Sequence, residues 1–247
     1  MKIDTGKWSE AELDRLLRES SLLSGAGMKI DFLSQQFLGV PYSGATLGGG
    51  VNTPEELRIN LAGVDCFTFP DYVEAMRLSA SFGEFVEKLR LVRYRSGSVS
   101  FVDRNHFFTD WAIFNAARVE DATEEIGQGS TTTVNKTLNL KGDGTSYLAG
   151  IPTFERTLRY IPAEAIGESC ADRLRTGDYA GIYSDLPGLD VSHAGIVIRS
   201  ADSITFRHAS SSAKSGRVVD EDFKKYIAGK PGLIILRPRE PDPTGGR

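Results

Sequence analysis

The chain has 247 residues, of which 40% are hydrophobic and 25% are charged. This length and composition are typical of a globular protein with a substantial core, and they exclude disordered, collagen-like and coiled-coil sequences. With 29 Lys and Arg residues against 33 Asp and Glu residues, the net charge is −4, which argues against nucleic-acid partners and a polybasic membrane anchor. No apolar run approaches the roughly 20 residues that span a bilayer, so we expect no membrane-spanning segment.

The first third of the chain predicts helices separated by a glycine-rich loop. Ser9 and Glu12 have the spacing of a capping box, so a helix is expected to begin there. A second helix is predicted over 29–38, followed by a loop over 39–50 whose glycines disfavour regular structure. A Thr-Pro-Glu-Glu sequence, with Pro at the first helical position, then predicts a short helix over 53–59.

The middle of the chain predicts one further helix and a hairpin. A helix starting at Asp65 would carry apolar residues inward at helical spacing, beginning with Phe69. The apolar runs 91–95 and 99–102 flank a Ser-Gly-Ser sequence, which predicts a β-hairpin. The stretch 121–141 is rich in Thr, Gly and Asn and is predicted to be loop or edge structure.

The last third changes character. Short β-type runs are separated by Gly, Pro, Asp and Ser turns, at 178–183, 194–199, 203–207 and 233–237. Since parallel strands need crossovers of about a dozen residues or more, these spacings predict an antiparallel meander. Helices that precede a run of strands indicate the α+β class. No linker divides the chain, so we expect a single domain.

Cys66 and Cys170 differ in their settings. Asp65 is a good N-cap, which would place Cys66 at the first position of an amphipathic helix, where free amides and the helix dipole favour a thiolate. The alternative is that Cys66 is a small buried hydrophobic residue. Cys170 has no such setting and is interpreted as structural. The two cysteines make neither a C-x-x-C pair nor a disulfide framework.

The chain has only three histidines, His106, His193 and His208. His193 precedes one β-type run and His208 ends the next, fifteen residues later. Adjacent antiparallel strands with a short turn would bring these two imidazoles side by side. A cysteine at a helix start that faces two histidines on a sheet is the nucleophile, base and orienting group of cysteine hydrolases. Each histidine alone is more often a satisfied core or surface residue, but the joint arrangement favours function.

The motifs around these residues resemble the NlpC/P60 superfamily of cell-wall hydrolases, which has a papain-like fold. Within it, the chain is most similar to the N-acetylmuramoyl-L-alanine amidase-like branch, formerly DUF1460. Asp-Cys, Arg-Asn-His and Leu-Asp-Val-Ser-His are specific to that branch, whereas Gly-Asp is a weak signal. The matching segments run in family order through nearly the whole chain, at 37–42, 63–69, 93–95, 104–111, 177–178, 188–195 and 208–211.

The resemblance implies Cys66 as nucleophile, His193 as its base and His208 as the orienting group. It also implies a substrate-binding rim formed by Tyr42, Asp65, Arg104, Asn105, His106 and Ser192. For His106 an alternative carries equal weight: it is a loop residue whose side chain only hydrogen-bonds the backbone. The expected architecture is N-terminal helices packed on a C-terminal antiparallel sheet, with a core over about 28–240, a helical extension over 1–27 and the catalytic cysteine at a helix N-terminus.

Pro70 departs from the branch pattern, which has an aliphatic residue four positions after the cysteine. If Cys66 were the first helical residue, Pro70 would remove an interior hydrogen bond and clash with the preceding turn. The helix is therefore expected to kink or to begin with an irregular turn. We also expect the Cys66 thiol to be more acidic than the pKa of about 8.5 of a free cysteine, although burial opposes this.

The implied reaction is cleavage of an amide in the peptidoglycan stem, between N-acetylmuramic acid and L-alanine. A γ-D-glutamyl-diamino acid endopeptidase and a non-catalytic peptidoglycan-binding module are the alternatives. Zinc binding by the cysteine and histidines is possible by residue type, but no tight ligand pair occurs. No nucleotide-binding motif or serine-nucleophile elbow is present, so no cofactor is expected. Acyl transfer to a lipid is a further alternative, but the sequence shows no membrane-facing segment that would support it.

Peptidoglycan fragments or muropeptides are the expected partners, and the protein is expected to act as a monomer. The N-terminus contains no apolar stretch of signal-peptide length. The family suggests the periplasm or cell envelope after removal of a signal, with the cytoplasm as the alternative.

Overall fold

The computed structural model describes residues 1–44 and 46–240. The helices of these residues are α1 Glu10–Ser21, α2 Ala26–Gln35, α3 Thr68–Arg77, α4 Phe82–Arg93, α5 Phe108–Phe114, α6 Thr123–Gly127, α7 Glu168–Ala171 and α8 Phe223–Ile227. The strands are β1 Lys2–Asp4, β2 Arg58–Asn60, β3 Val119–Asp121, β4 Thr132–Leu138, β5 Phe154–Pro162, β6 Tyr179–Tyr183, β7 Val191–Arg199, β8 Ile204–Ala209, β9 Val218–Asp222 and β10 Gly232–Pro238.

A large antiparallel sheet forms the centre of the molecule. Its strand order is β4-β5-β10-β6-β7-β8-β9, and β3 pairs with the end of β10. The consecutive neighbours β6 to β9 form an antiparallel meander, which confirms part of the prediction for the last third of the chain. The predicted run 233–237 lies in β10, which is also antiparallel but pairs with β5 and β6 and does not continue the meander. β4 lies at the edge of this sheet, as predicted for 121–141, and β5 and β9 are strands that the sequence pattern did not predict.

Both faces of the sheet are covered, so the central strands β6 and β10 are buried along nearly their whole length and are mostly apolar. In β10, Ile234 and Leu236 point to the larger core cluster, which contains α1 to α4, while Leu233 and Ile235 point to a second cluster with α6, α7 and α8. Successive side chains of a strand face opposite sides of a sheet, and this alternation separates the two clusters. The result is a mixed structure of helices and a large antiparallel sheet.

The N-terminal segment belongs to the larger cluster. α1 begins at Ser9 with the predicted capping box, because Ser9 Oγ accepts from the Glu12 amide and Glu12 accepts from the Ser9 amide at 2.8 Å. Leu13 and Leu17 of this helix are fully buried. β1 pairs in parallel with β2, and this pairing ties the start of the chain to the segment before α3.

Two predicted elements are wrong. Residues 53–59 do not form a helix: Thr53 closes a tight turn with Gly50, and the following residues extend into β2 because they pair with β1. The hairpin over 91–102 is also absent. Its first run is the last turn of α4, which begins at the Ser81 cap and buries Leu89 and Val92 at helical spacing. Tertiary burial of this helical face decided the structure.

No helix within 1–44 and 46–240 is long and apolar enough to cross a membrane.

α3 connects the helices to the sheet, and all ten of its residues are buried. Its two acidic residues are therefore paired. Asp71 accepts from Arg93 of α4 at 2.8 Å and from the indole of Trp111 of α5 at 2.9 Å. Glu74 accepts from Tyr179 of β6 at 2.7 Å and is paired with an arginine one turn later. Removing one partner of such a buried pair leaves an uncompensated charge, so these contacts fix the helix in place.

Phe69→Ala tests the importance of α3 for stability. Phe69 is fully buried and its ring lies edge-on to Phe37, with centroids 5.6 Å apart. The substitution should lower the free energy of unfolding by about 3–5 kcal/mol, because a large buried cavity is left behind. Leu22→Ala, at a side chain that is 81% exposed, is the control and should change it by less than about 0.5 kcal/mol. Denaturant unfolding measures both, and equal effects would contradict this packing.

Candidate active site

Cys66 lies in the turn that leads into α3. Asp65 caps this turn: its Oδ1 accepts from the amides of Phe67 at 2.9 Å and Thr68 at 2.7 Å, and its own amide donates to Thr68 Oγ1 at 2.9 Å. The predicted capping role of Asp65 is therefore present. The helix itself begins at Thr68, so Cys66 precedes α3 and is not its first residue as predicted.

Pro70 explains this offset. The Phe69 amide bonds the Asp65 carbonyl at 3.1 Å and the Asp71 amide bonds the Phe67 carbonyl at 3.2 Å, both in the helical pattern. The bond between them would need an amide proton on residue 70, which proline lacks. Regular helix therefore starts only after the cysteine, with the irregular first turn that Pro70 predicts.

His193 and His208 lie on one face of the sheet. Val197 pairs with Phe206, and strand alternation then places His193, four residues before Val197, on the same face as His208, two residues after Phe206. Ser192 is the extra residue of a bulge, since Tyr183 pairs with Val191 and Ile182 with His193. Bulges of this kind re-aim neighbouring side chains and are common beside active sites.

The two imidazoles lie side by side, as predicted from the sequence, and they form a hydrogen-bonded pair. Nε2 of His193 lies 2.8 Å from Nδ1 of His208, with the rings almost perpendicular. Nε2 of His208 lies 3.1 Å from Oε1 of Glu221 on β9. Tyr226 of α8 covers both rings, with centroid distances of 6.1 Å to His193 and 4.8 Å to His208.

Cys66 and His193 line the same cavity, which has a volume of about 220 Å³. The thiol is half-buried and free of any disulfide. Ser192 lines this cavity too, next to the cysteine and the histidine. The fold thus brings together residues 127 positions apart in the sequence. Because Nε2 of His193 faces His208, its Nδ1 is the nitrogen left for other contacts.

Burial sets the protonation of this pair. It raises the pKa of Cys66 to about 11, with a further contribution from the negative charge of Asp65, while the amides of Ala194 and Cys66 oppose the shift. Burial also lowers the pKa of His193 to about 3, helped by the positive charges of His208 and Lys230. Both shifts disfavour the charged forms, so the pKa of the thiol is raised where the sequence predicts it to be lowered. The solvation that a thiolate loses on burial outweighs the stabilisation that it gains from the two amides.

A second cavity of about 510 Å³ adjoins the first and holds most of the predicted rim. Asp65, Arg104, Asn105 and His106 all line it, and His106 lines both cavities. The glycine-rich loop at 48–50 lines it as well.

The rim side chains are held firmly. Arg104 Nη1 donates to the carbonyl of Gly48 at 3.0 Å, which fixes the loop against the motif. Asn105 is almost fully buried; its Nδ2 donates to the Val92 carbonyl at 3.0 Å, and its Oδ1 has no partner among the described residues. His106 Nε2 donates to the Phe101 carbonyl at 2.7 Å, and burial lowers the pKa of His106 to about 4.

Tyr42 is connected to the segment before Cys66 through its main chain. Its main chain bridges Val64, just before the cap, and its amide donates to the Gly216 carbonyl at 2.8 Å. Burial raises the pKa of its hydroxyl, and negative charge on Cys66 and Asp65 raises it further. Its side chain therefore shares the electrostatic environment of the thiol.

These positions lie within one known family. A family profile described as AmiA-like, N-acetylmuramoyl-L-alanine amidase-like, matches residues 32–233. The chain belongs to this family. The matched segment contains Cys66, both paired histidines and all the predicted rim residues.

Solved structures share the fold of this AmiA-like chain. A Legionella pneumophila protein of the DUF1460 family is 22% identical and superposes with a TM-score of 0.79, over 94% of each chain. An N-acetylmuramoyl-L-alanine amidase from Bacteroides uniformis is 24% identical over 93% of this chain and 100% of its own, with a TM-score of 0.69. Another structure of an amidase from that organism is 26% identical over 84% of this chain and 97% of its own, with a TM-score of 0.67. The comparison with curated proteins found no match.

Sequence reasoning missed two residues that contact the histidines, Glu221 and Tyr226. Glu221 pairs with Phe206 across β8 and β9, which places it on the face of His208. Because the run 218–222 was not predicted to be a strand, its alternation could not be used. Tyr226 belongs to a helix of one turn, which carries little periodic signal. Within 1–44 and 46–240, no group of three or more His, Cys, Asp and Glu residues has an arrangement suited to a metal ion.

Alkylation of Cys66 tests the protonation of the thiol. In a Cys170→Ala background, the rate with iodoacetamide should still rise with pH above about 8.5, the pKa of a free cysteine, because only the thiolate reacts. Asp65→Asn keeps an acceptor at the cap and removes a negative charge, so it should shift the pH profile downward.

The variant that lacks both cysteines is the control and should not react. A rate that is already maximal at neutral pH would instead indicate a thiolate-imidazolium pair at rest.

Proposed function

We propose that this AmiA-like protein is a cysteine hydrolase of peptidoglycan fragments that cleaves the amide between N-acetylmuramic acid and L-alanine. In this proposal it has the papain-like fold of the NlpC/P60 superfamily, with Cys66 as nucleophile, His193 as base and His208 as the orienting group. The observation that carries the proposal is the shared cavity of Cys66 and His193, with His208 hydrogen-bonded behind the base. The family description supports the choice of bond.

Acylation begins from the neutral pair. As Cys66 Sγ bonds to the carbonyl carbon of the scissile amide, its proton passes to Nδ1 of His193. The amides of Ala194 and Cys66, which favour negative charge on sulfur, stabilise the thiolate as it forms. The carbon–nitrogen bond then breaks, and the amine of the stem peptide leaves with the proton from His193. The muramoyl group remains as a thioester on Cys66.

Deacylation uses the same base in the second half-reaction. Water gives a proton to His193 and attacks the thioester carbonyl, and the carbon–sulfur bond breaks. The muramic acid leaves with a free carboxyl group, while the proton on His193 returns to Cys66. The enzyme is restored without any cofactor.

The second cavity supports a recognition role for the rim. It adjoins the first cavity through His106, so a substrate held at Cys66 extends directly into it. Asn105 Oδ1 is buried without a protein partner among the described residues, and leaving such an acceptor unpaired costs about 1–3 kcal/mol. A hydroxyl or amide donor of the substrate would satisfy it. We assign Asp65, Arg104, Asn105 and His106 of this cavity to substrate recognition. We add Ser192 of the first cavity and Tyr42, whose main chain bridges Val64 just before the cap.

Digestion of defined muropeptides tests the proposal. Mass spectrometry of the products should find the free sugar acid together with an intact stem peptide that begins with L-alanine. Cleavage between D-glutamate and the diamino acid would identify the protein as an endopeptidase and not as an amidase. Binding of the muropeptide without any cleavage would identify a non-catalytic module.

Variants in this assay should separate the roles of the three residues. Cys66→Ala and His193→Ala should reduce turnover by at least about 10²–10⁴-fold, because the nucleophile or the proton acceptor is lost. His208→Asn should lose less, since an amide still hydrogen-bonds the base, and Cys170→Ala is the matched control with unchanged turnover. Hydrolysis by Cys66→Ala at the parent rate would overturn the mechanism.

The pH profile gives a second test. Because His193 is unprotonated above a pKa of about 3 and Cys66 keeps its proton up to a pKa of about 11, the reactive pair exists across the whole interval. We expect kcat/KM to stay level as the pH passes the ordinary values of about 6.5 for histidine and 8.5 for cysteine. A fall in kcat/KM below about pH 6.5 would mean that His193 titrates as an exposed imidazole.

A further inference from the structure

Glu221 contacts the outer histidine of the pair. Its Oε1 lies 3.1 Å from Nε2 of His208, whose side chain is only 3% exposed. A buried ring nitrogen that carries a proton needs an acceptor, and leaving it unpaired would cost free energy. The carboxylate comes from β9, the strand next to β8, and shares the face on which both histidines lie. Glu221 itself is half-buried and is reached by water.

We infer that Glu221 is a positioning residue, which sets the tautomers of both histidines and thereby leaves Nδ1 of His193 free to take a proton. The inference rests on the proposed function, in which His193 is the base for Cys66. It assigns no contact between Glu221 and the substrate, because Glu221 lines neither the cavity of Cys66 nor the adjoining one.

The tautomers follow from the direction of the hydrogen bonds. An ionised carboxylate only accepts, so His208 must donate its Nε2 proton to Glu221. A neutral imidazole has one donor and one acceptor, so Nδ1 of His208 then accepts from Nε2 of His193. By the same rule, Nδ1 of His193 carries a lone pair. The contact at one end of the chain of hydrogen bonds thus determines which atom is basic at the other.

Some surroundings of His208 raise the pKa of its imidazole and others lower it. Burial lowers its pKa and so does Lys230, while the carboxylates of Glu221 and Asp220 raise it. Tyr226 of α8 and His193 of β7 face the ring as well. When His193 takes the proton of Cys66, its positive charge lies two hydrogen bonds from Glu221, which therefore stabilises the protonated base. Because Glu221 is partly exposed, solvent screens this effect and the loss on substitution is moderate.

Histidine tautomers can be measured in the resting protein. In ¹⁵N-labelled protein, NMR should find His208 protonated at Nε2 and His193 at Nε2. Glu221→Ala should convert His208 to a mixture of tautomers, whereas Glu221→Gln retains an acceptor oxygen and should preserve more of the native form. Asp202→Asn is the control: it removes one exposed carboxylate from the turn between β7 and β8 and should leave both signals unchanged.

Kinetics give the second readout. Glu221→Ala should lower kcat about 10- to 100-fold, the range for partners that orient a metal-bound histidine, and should leave KM unchanged. Glu221→Gln should fall between the parent and the alanine variant. A loss of kcat with unchanged tautomers would mean a structural role only and would overturn the inference, as would parent-like kcat in Glu221→Ala.

The two proposals fail separately. If the parent protein cleaves no muropeptide, the proposed function is wrong, and the NMR signals alone then decide whether Glu221 sets the tautomers. If the parent is active and the tautomers do not respond to Glu221→Ala, only the role of Glu221 is wrong. Thermal unfolding of each variant, compared with the parent, identifies any loss that comes from unfolding.

Discussion

The burial of α3 is the constraint on which the rest of the structure depends. A helix with no exposed residue must bring partners for its acidic side chains into the interior, and here Asp71 and Glu74 are paired with arginines and with the aromatic donors Trp111 and Tyr179. These contacts join α3 to α4, α5 and β6. The turn before the helix is therefore held in a fixed position against β7, and this places Cys66 in the cavity of His193.

The same desolvation acts in opposite directions on the two members of that pair. It penalises the charged form of each, so it raises the pKa of the Cys66 thiol and lowers the pKa of the His193 imidazole. Burial therefore favours a proton on sulfur and an unprotonated imidazole. The Asp65 side chain adds to this effect, because the carboxylate that caps the turn also repels a thiolate.

The cavity of Cys66 and His193 adjoins the cavity lined by the Arg-Asn-His motif, and His106 lines both. In the Arg-Asn-His motif of the second cavity, Arg104 and Asn105 are buried and His106 is half-buried. Each of the three side chains donates to a backbone carbonyl, which fixes the geometry of the motif. The segment that precedes the family match is also part of the fold. Leu13 and Leu17 lie in the main core, and β1 pairs with β2, although the profile match begins only at residue 32.

The sequence by itself determined the local features that depend on neighbouring residues. Four such features could be predicted: the capping box at Ser9, the Asp65 cap, the irregular turn caused by Pro70 and the antiparallel meander of β6 to β9. They could be predicted because hydrogen-bonding side chains and strand alternation act over a few positions. The nearness of His193 and His208 followed from the same alternation. Only the tertiary structure decided whether 91–95 is helix or strand, since burial of Leu89 and Val92 outweighs the local turn signal. It also decided the raised pKa of the Cys66 thiol and the contact of Glu221 with His208, because desolvation and cross-strand neighbours depend on residues far away in the chain.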